Sequence, residues 1–438
     1  MKKAALHNLG CKVNAYEGEA MRQLLEEAGY EIVPFREKAD VYIINTCSVT
    51  NIADRKSRQM LHRARKQNPE AVVVAAGCYV QSAAEELKKD LSVDVLIGNN
   101  KKKELVGILE EYFQKKQGKR QVQEHWLAMD GSREYESLHI RKTADHTRAF
   151  VKVQDGCNQF CSYCIIPYTR GRVRSRTPED VEQEAGALAA SGCQEIVLTG
   201  IHLSSYGADF QEQSREGLPE LIGRLHRISG ISRIRLGSLE PGIITRQFVS
   251  ALTRLPKVCP HFHLSLQSGC DETLRRMNRH YTTEEYAEKC DILRESFENP
   301  AITTDVIVGF PGETQEEFEE TKAFLQKIRF YEMHVFKYSV RSGTRAAKMP
   351  DQIPESVKTI RSEELLSLEQ VMSAEYRKSF LGKRQQVLLE EETRIEGTRY
   401  LTGHTREYIR AAVLAEGQRP NTLVTVIPER MLTEEILL

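Results

Sequence analysis

AFVKVQDGCNQFCSYC, Ala149 to Cys164, is an apolar β-branched run followed by three cysteines, Cys157, Cys161 and Cys164, at offsets 0, 4 and 7. Ala149 to Val153 reads as a strand, so the thiols stand in the loop at its carboxyl end. Three thiolates so spaced can hold one metal centre, and cysteine runs of this kind bind iron-sulfur clusters. On a four-iron cube, three protein ligands leave one iron open to bind something else. A structural zinc knuckle is the competing reading. It needs four ligands, usually as two paired half-sites, and no second pair follows nearby.

Downstream, strand candidates recur at EIVLT from Glu195, SRIRL from Ser232, HFHLSL from His261, TDVIV from Thr304 and MHVFKYS from Met333. Helix starts separate most of them, at Thr177 with Pro178 and Asp180, at Thr282 and at Glu313. Six such units predict parallel strands under a helical coat, curled into a partial or complete barrel. The loops after the strands read DGC, TGIH, LGSLE, LQSG and GFPGE, small and polar enough for close ligand approach. Neither GxxxxGK[ST] nor GxGxxG occurs, which argues against a nucleotide triphosphate site.

Upstream, Cys11, Cys47 and Cys78 each follow a candidate strand and precede a helical segment, at separations of 36 and 31 residues. The repeating unit of strand, cysteine and helix predicts a parallel α/β sheet. Loops at the carboxyl ends of such a sheet share one edge, so the three thiols can meet there. Free cysteine is often only a small buried hydrophobe. Three at the equivalent position form a second candidate ligand set.

The 438 residues suggest about three domains by the usual length prior. We place them at 1–113, 147–374 and 375–438, with a polar linker at 114–146 that contains Trp126. A docked aromatic is the expectation for Trp126. From Lys383 on, short alternating strands between glycine-bearing turns predict a small β-barrel after a helix from about Glu355 to Phe380. Basic and acidic residues balance at 62 each, so any polyanion must meet local patches. One is Arg170, Arg172, Arg174 and Arg176, which an extended backbone would place on one face. The other is Arg55, Lys56, Arg58, Arg63, Arg65 and Lys66 on a predicted helix. Solvated charge is the ordinary meaning of either run, but together they favour a polyanion. No run approaches the roughly 18 apolar residues of a membrane span, and a cytoplasmic protein with no membrane partner is expected. Ten cysteines in a reducing compartment favour metal ligation, catalysis or burial over disulfides.

CxxxCxxC after a first strand resembles the radical S-adenosylmethionine superfamily, and the three upstream cysteines resemble its methylthiotransferase branch. The segments NTCSVT, GCNQFCSYCIIPYTRGRVRSR, LTGIHLSSYG, LSLQSG, DVIVGFPGET and YSVRSGTRA all look like signatures of that branch. The tail resembles its TRAM RNA-binding domain. NLGCKVNAYE is similar to the enzymes acting on threonylcarbamoyladenosine in tRNA, whereas the isopentenyladenosine and ribosomal-protein branches typically carry GCQMN and GCPKN.

The resemblance implies a fold and a chemistry. The fold would be an amino-terminal parallel α/β sheet, a central radical S-adenosylmethionine partial (β/α) barrel and a small carboxyl-terminal β-barrel. Two [4Fe-4S] clusters and S-adenosylmethionine would be the cofactors. Cys157, Cys161 and Cys164 would hold the cluster that cleaves S-adenosylmethionine, with Tyr163, Gly200 and Gln267 near that cofactor. Cys11, Cys47 and Cys78 would hold the cluster that supplies sulfur. Carbon 2 of adenine has no acidic proton and no leaving group, so a radical has to activate it. The partners implied are tRNA with the target adenosine 3′ of the anticodon, an electron donor such as flavodoxin, and a sulfur source. A sister methylthiotransferase with another target, or a non-catalytic zinc-containing RNA-binding scaffold, would share much of this pattern. His202, His261 and His263 are read as structural.

Overall fold

The computed structural model describes residues 1–115, 122–129, 134–143, 147–211 and 216–438. Residues 3–125 build a six-stranded parallel sheet in the spatial order Glu31–Ile32, Lys3–Asn8, Val41–Thr46, Val72–Gly77, Val95–Ile97, Gln123–His125. Val41–Thr46 and Val72–Gly77 are buried at every position. Such strands are covered by helices on both faces, which is why they read as continuous apolar runs rather than alternating ones. The helices Lys12–Glu27, Asn51–Gln67 and Cys78–Leu87 provide the crossovers.

Arg148–Asp155, Glu195–Gly200, Arg233–Leu236, His261–His263, Ala301–Val308 and Glu332–Lys337 follow one another around a second parallel sheet. Its two halves are joined by the bridges Ile234 to Val258 and Leu239 to Leu264. Among the described residues the first and last strands do not pair, so the barrel is partial. Ala149, Val151 and Val153 pack outward into the core under the helices. Strand alternation therefore turns Arg148, Phe150, Lys152 and Gln154 toward the lumen.

A 24-residue helix, Glu355–Lys378, leads to the tail. There Gln385–Ile395, Thr398–His404, Arg410–Leu414 and Thr422–Val426 form a curled antiparallel sheet around its own core. The loop after Thr398–His404 docks at the amino ends of the barrel strands. Arg233 donates to the His404 carbonyl and Arg235 to the Arg406 carbonyl, both at 2.8 Å. Tyr408 stacks between His261 and His404, with Arg148 and Arg235 over its ring.

The expected linker lies partly outside the described residues. Where described it is part of the fold: Gln123–His125 is the sixth strand of the first sheet, and Leu138 and Ile140 are buried in the barrel core. Trp126 packs on the amino-terminal core.

The two sheets are held by a buried ion cluster. Glu17, on the Lys12–Glu27 helix, accepts from Lys102 at 2.6 Å and from Lys152 and Arg170 at 2.8 Å each. Asp155 meets the same Lys152 at 2.6 Å and Arg170 at 3.2 Å. Burial alone would push both carboxyls up. For Glu17 the charges of Arg170, Lys102 and Lys152 win, for Asp155 those of Lys152, Arg170 and Arg174, and both sit well below the usual carboxylate range. Arg341, from YSVRSGTRA, adds a second clamp by donating to Asn51, Asp54 and Ser48 beside Cys47.

Removing one acid from such a cluster strands buried cations. Glu17→Gln should cost about 3–5 kcal/mol in chemical denaturation, against about 0.5 kcal/mol or less for the exposed Glu110→Gln. Because both folded carboxyl pKa values are depressed, their contribution is intact above the ordinary carboxylate range and is lost as pH falls below it. Wild type should therefore lose more stability than Glu17→Gln on acidification.

Candidate functional site

Cys157, Cys161 and Cys164 wrap the carboxyl end of Arg148–Asp155, partly exposed toward the barrel mouth. Gly156 has φ +72°, and a Cβ there would lie 1.9 Å from the Arg172 carbonyl oxygen, so only glycine fits. The loop is pinned from outside. The Cys157 N–H donates to the Gly171 carbonyl at 3.0 Å, Ser162 bonds the Met277 and Arg276 carbonyls, and Asn278 donates to the Gln159 and Phe160 carbonyls. Two donors reach sulfur: the Gln159 N–H to Cys157 at 3.4 Å and the Arg279 guanidinium to Cys161 at 3.3 Å. Burial pushes the Cys157 thiol up to about 11 and Cys164 up to about 12, so binding a metal displaces their protons.

Cys11, Cys47 and Cys78 stand at the carboxyl ends of three adjacent strands, Lys3–Asn8, Val41–Thr46 and Val72–Gly77. Gly10 precedes Cys11 at φ +102°, and a Cβ there would be 2.9 Å from the Cys47 Cβ. Gly77 precedes Cys78 at φ +95°, within 2.8 Å of the Asn45 Oδ1. Both glycines let three chain ends converge. The thiols share one electrostatic environment: burial, then the Cys78 and Cys11 charges, push Cys47 up to about 12. Arg170 Nε donates to the Cys78 sulfur at 3.3 Å and Asn99 at 3.6 Å. Arg170 follows Cys164 by six residues, so a single guanidinium ties the loop of one cysteine set to a sulfur of the other.

A lone tetrahedral zinc would draw its sulfurs to about 3.8 Å apart, from Zn–S bonds near 2.3 Å. Among the described residues, His263, Asp305 and His334 are the group whose ligand atoms all lie within 4.8 Å; neither cysteine set is gathered so closely. The donors fit a multi-iron group: all thiol, cation-assisted and protected by N–H contacts.

The arginine run departs from its expected geometry. Ile166–Thr169 forms a helical turn, Gly171 has φ +74°, and only Arg174–Ser175 is strand. Arg170, Arg174 and Arg176 are buried rather than aligned on a surface, because acids draw them inward. Arg170 goes to Glu17 and Asp155, Arg174 lies beside Asp155, and Arg176 pairs with Glu184 and Asp180. Arg172 alone is exposed, over the Phe160 ring. Of the four arginines expected to share one exposed face, the structure leaves only Arg172 at the surface.

Tyr163 packs edge-on to Phe310 at the barrel mouth. Gly200 closes its strand against Gln154, whose Oε1 would be 2.8 Å from a Cβ there. Gln267 bridges to Val306 with φ +72°, a strained backbone at the end of a barrel strand.

Other residues escaped the sequence reading. Glu17 and Lys152 were hidden by their surroundings, although an acid beside Val13, Tyr16 and Ala20 on an apolar helix stripe was a usable signal. His263, read as structural, donates to or accepts from Thr303 at 3.0 Å through Nδ1 and lies 3.3 Å from Asp305 through Nε2, with the His334 ring 5.8 Å away. Lys12, the residue after Cys11, keeps accessible surface. Burial, then Arg235 and Arg148, push its ammonium pKa down. Among the described residues no helix is long and apolar enough to cross a membrane.

Residues 151–325 match the Radical SAM superfamily, and residues 3–98 match the uncharacterized protein family UPF0004. A threonylcarbamoyladenosine tRNA methylthiotransferase MtaB from Bacillus subtilis is 42% identical over 412 residues, covering 94% of this chain and 90% of that protein. Its namesake from Aquifex aeolicus is 40% identical, covering 91% and 95%. A tRNA-2-methylthio-N(6)-dimethylallyladenosine synthase from Pelotomaculum thermopropionicum is 36% identical, covering 93% and 90%. The radical S-adenosylmethionine methyltransferase TsrM from Kitasatospora setae shares the fold, at TM-score 0.55 and 15% identity over 77% of this chain and 72% of that one. With relatives this similar along nearly its whole length, the chain belongs to the radical SAM tRNA methylthiotransferase family, enzymes that use S-adenosylmethionine and [4Fe-4S] clusters.

Proposed function

We propose that this chain transfers a methylthio group to carbon 2 of threonylcarbamoyladenosine beside the anticodon of tRNA. The observation that carries the reading is the pairing of two cysteine triads, at the carboxyl edges of two parallel sheets, through Arg170. In this reading Cys157, Cys161 and Cys164 hold one cluster, with Tyr163, Gly200 and Gln267 around S-adenosylmethionine, and Cys11, Cys47 and Cys78 hold the other. When bound, these groups supply the electron, the radical and the sulfur that side chains cannot. The domains are 1–113, 147–374 and 375–438. A flavodoxin-like reductant, a separate sulfur source and a cytoplasmic setting complete it.

The chain's own contribution is position and charge. Glu17 and Asp155 face Lys102, Lys152, Arg170 and Arg174, leaving a surplus of cation next to Cys78. Arg279, held by Glu240, donates to the Cys161 sulfur at 3.3 Å. The tail loop closes the amino end of the barrel, so the target base enters from the mouth, where both triads stand.

For the tRNA, the Asn51–Gln67 helix offers Arg55, Lys56, Arg63 and Lys66 on its exposed face, while Arg58 and Arg65 turn back to Tyr79 and Asp94. Arg172 is a further exposed cation, over the Phe160 ring in the CxxxCxxC loop. The relatives named for dimethylallyladenosine support a second reading with that base as target. Mass analysis of tRNA nucleosides from a deletion strain separates the two.

Cys157→Ala should abolish reductive cleavage of S-adenosylmethionine. Cys47→Ala should retain 5′-deoxyadenosine formation and lose methylthio transfer, each variant holding about half the wild-type iron; equal loss of cleavage in both refutes the division of labour. Changing Arg55, Lys56, Arg63 and Lys66 to glutamine should flatten the salt dependence of tRNA binding by about 0.7–0.9 in slope for each phosphate no longer neutralised. An unchanged slope returns them to solvated surface.

A further inference from the structure

We propose that His263, Asp305 and His334 form a mononuclear site for a divalent first-row metal ion in the barrel lumen, separate from both cysteine sets. The proposal holds whichever base the enzyme modifies.

The three residues come from successive barrel strands, His261–His263, Ala301–Val308 and Glu332–Lys337. Phe262, Leu264, Val306 and Met333 pack into the core under the helices. Strand alternation therefore turns His263, Asp305 and His334 to the lumen side. The register places His334 directly beside Asp305, and His263 beside Thr303, the next residue before Asp305 on the same face. One ligand atom from each of the three lies within 4.8 Å of the others. His263 Nε2 stands 3.3 Å from Asp305 Oδ2. A charge-assisted hydrogen bond would be shorter, at about 2.7–2.9 Å. The spacing instead matches the edge between two ligands of a tetrahedral ion, about 3.3 Å for bonds of about 2.0–2.1 Å.

The surroundings suit an ion. His263 Nδ1 is hydrogen-bonded to Thr303 Oγ1 at 3.0 Å. With the proton on Nδ1, Nε2 presents its lone pair beside the carboxylate, and metal-binding histidines are fixed by such a contact on the far nitrogen. The exposed His334 ring stacks alongside at 5.8 Å and has no hydrogen bond among the described residues. Nor does any lysine or arginine among them ion-pair with Asp305. The guanidiniums of Arg148 and Arg235 turn to the Tyr408 ring and are matched by Glu390 and Glu195. Two imidazoles and one carboxylate take zinc, iron(II) or manganese and leave further positions open. Those positions would face the chamber that receives the target base, where a hydroxyl, carbonyl or carboxylate oxygen of the substrate can complete the shell.

The test is Mn2+ binding by cluster-loaded, anaerobically prepared full-length protein. Manganese is the probe because it takes oxygen donors and avoids the thiolates that both cysteine sets offer. Loss of the free-ion signal in electron paramagnetic resonance should show about one ion held per chain, and the pulsed spectrum should show coupling to imidazole nitrogen. Thr303→Val leaves all three ligands in place and should weaken binding about tenfold or more. His263→Gln should weaken it further, with the iron content unchanged. His334→Gln, at an exposed position, repeats the loss where the fold is not at stake. Cys157→Ala should bind manganese as wild type does. No ion retained, retention without imidazole coupling, or wild-type affinity in both histidine variants overturns the proposal; loss of manganese in Cys157→Ala would place the ion at the cysteines and overturn it too.

Discussion

Everything else in the molecule depends on the Glu17 and Asp155 ion cluster. It is buried, it joins residues more than 100 positions apart, and its cations run from the amino-terminal sheet to the loop after the CxxxCxxC motif. Buried ion pairs rarely add net stability over an apolar replacement. Here the cluster orients: Arg170 can reach the Cys78 sulfur only because Glu17, Asp155 and Asn14 hold its other nitrogens. Two sheets that could have packed in many ways are set in one register, with both cysteine sets at the shared edge.

The same logic accounts for residues that otherwise look idle. Asn14 donates to the Leu9 and Thr46 carbonyls, fixing the loops that carry Cys11 and Cys47, and offers its oxygen to Arg170. Arg341 makes a parallel link from the last barrel loop to Ser48 and Asp54. Each sulfur-bearing loop is thus anchored by a polar side chain from another element. That is what a site needs if its ligands must stay aimed while cofactors and a large substrate come and go.

The fold class was legible because parallel strands buried on both faces leave an unambiguous mark, as in VYIINT and VVVAAG. Cys11, Cys47 and Cys78 stood out because each follows a strand, and Cys157, Cys161 and Cys164 because of their spacing within one loop. The arginines were not: an alternating run looks like an extended surface until Glu17, Glu184 and Asp155 are known to lie beneath it, and these acids sit on other elements, Glu17 153 residues away from Arg170. Polar residues of the expected linker pair with buried groups, as Glu136 does with the Lys103 N–H.

By itself, then, the chain's sequence determined the periodicities, the glycines that place thiols at strand ends, and the two ligand sets, because these depend on near neighbours. Tertiary structure alone decided which guanidiniums turn inward and that the tail loop stacks Tyr408 under the barrel. Those outcomes turn on charges meeting across long sequence separations, and no local pattern encodes which opposite charge a side chain will find.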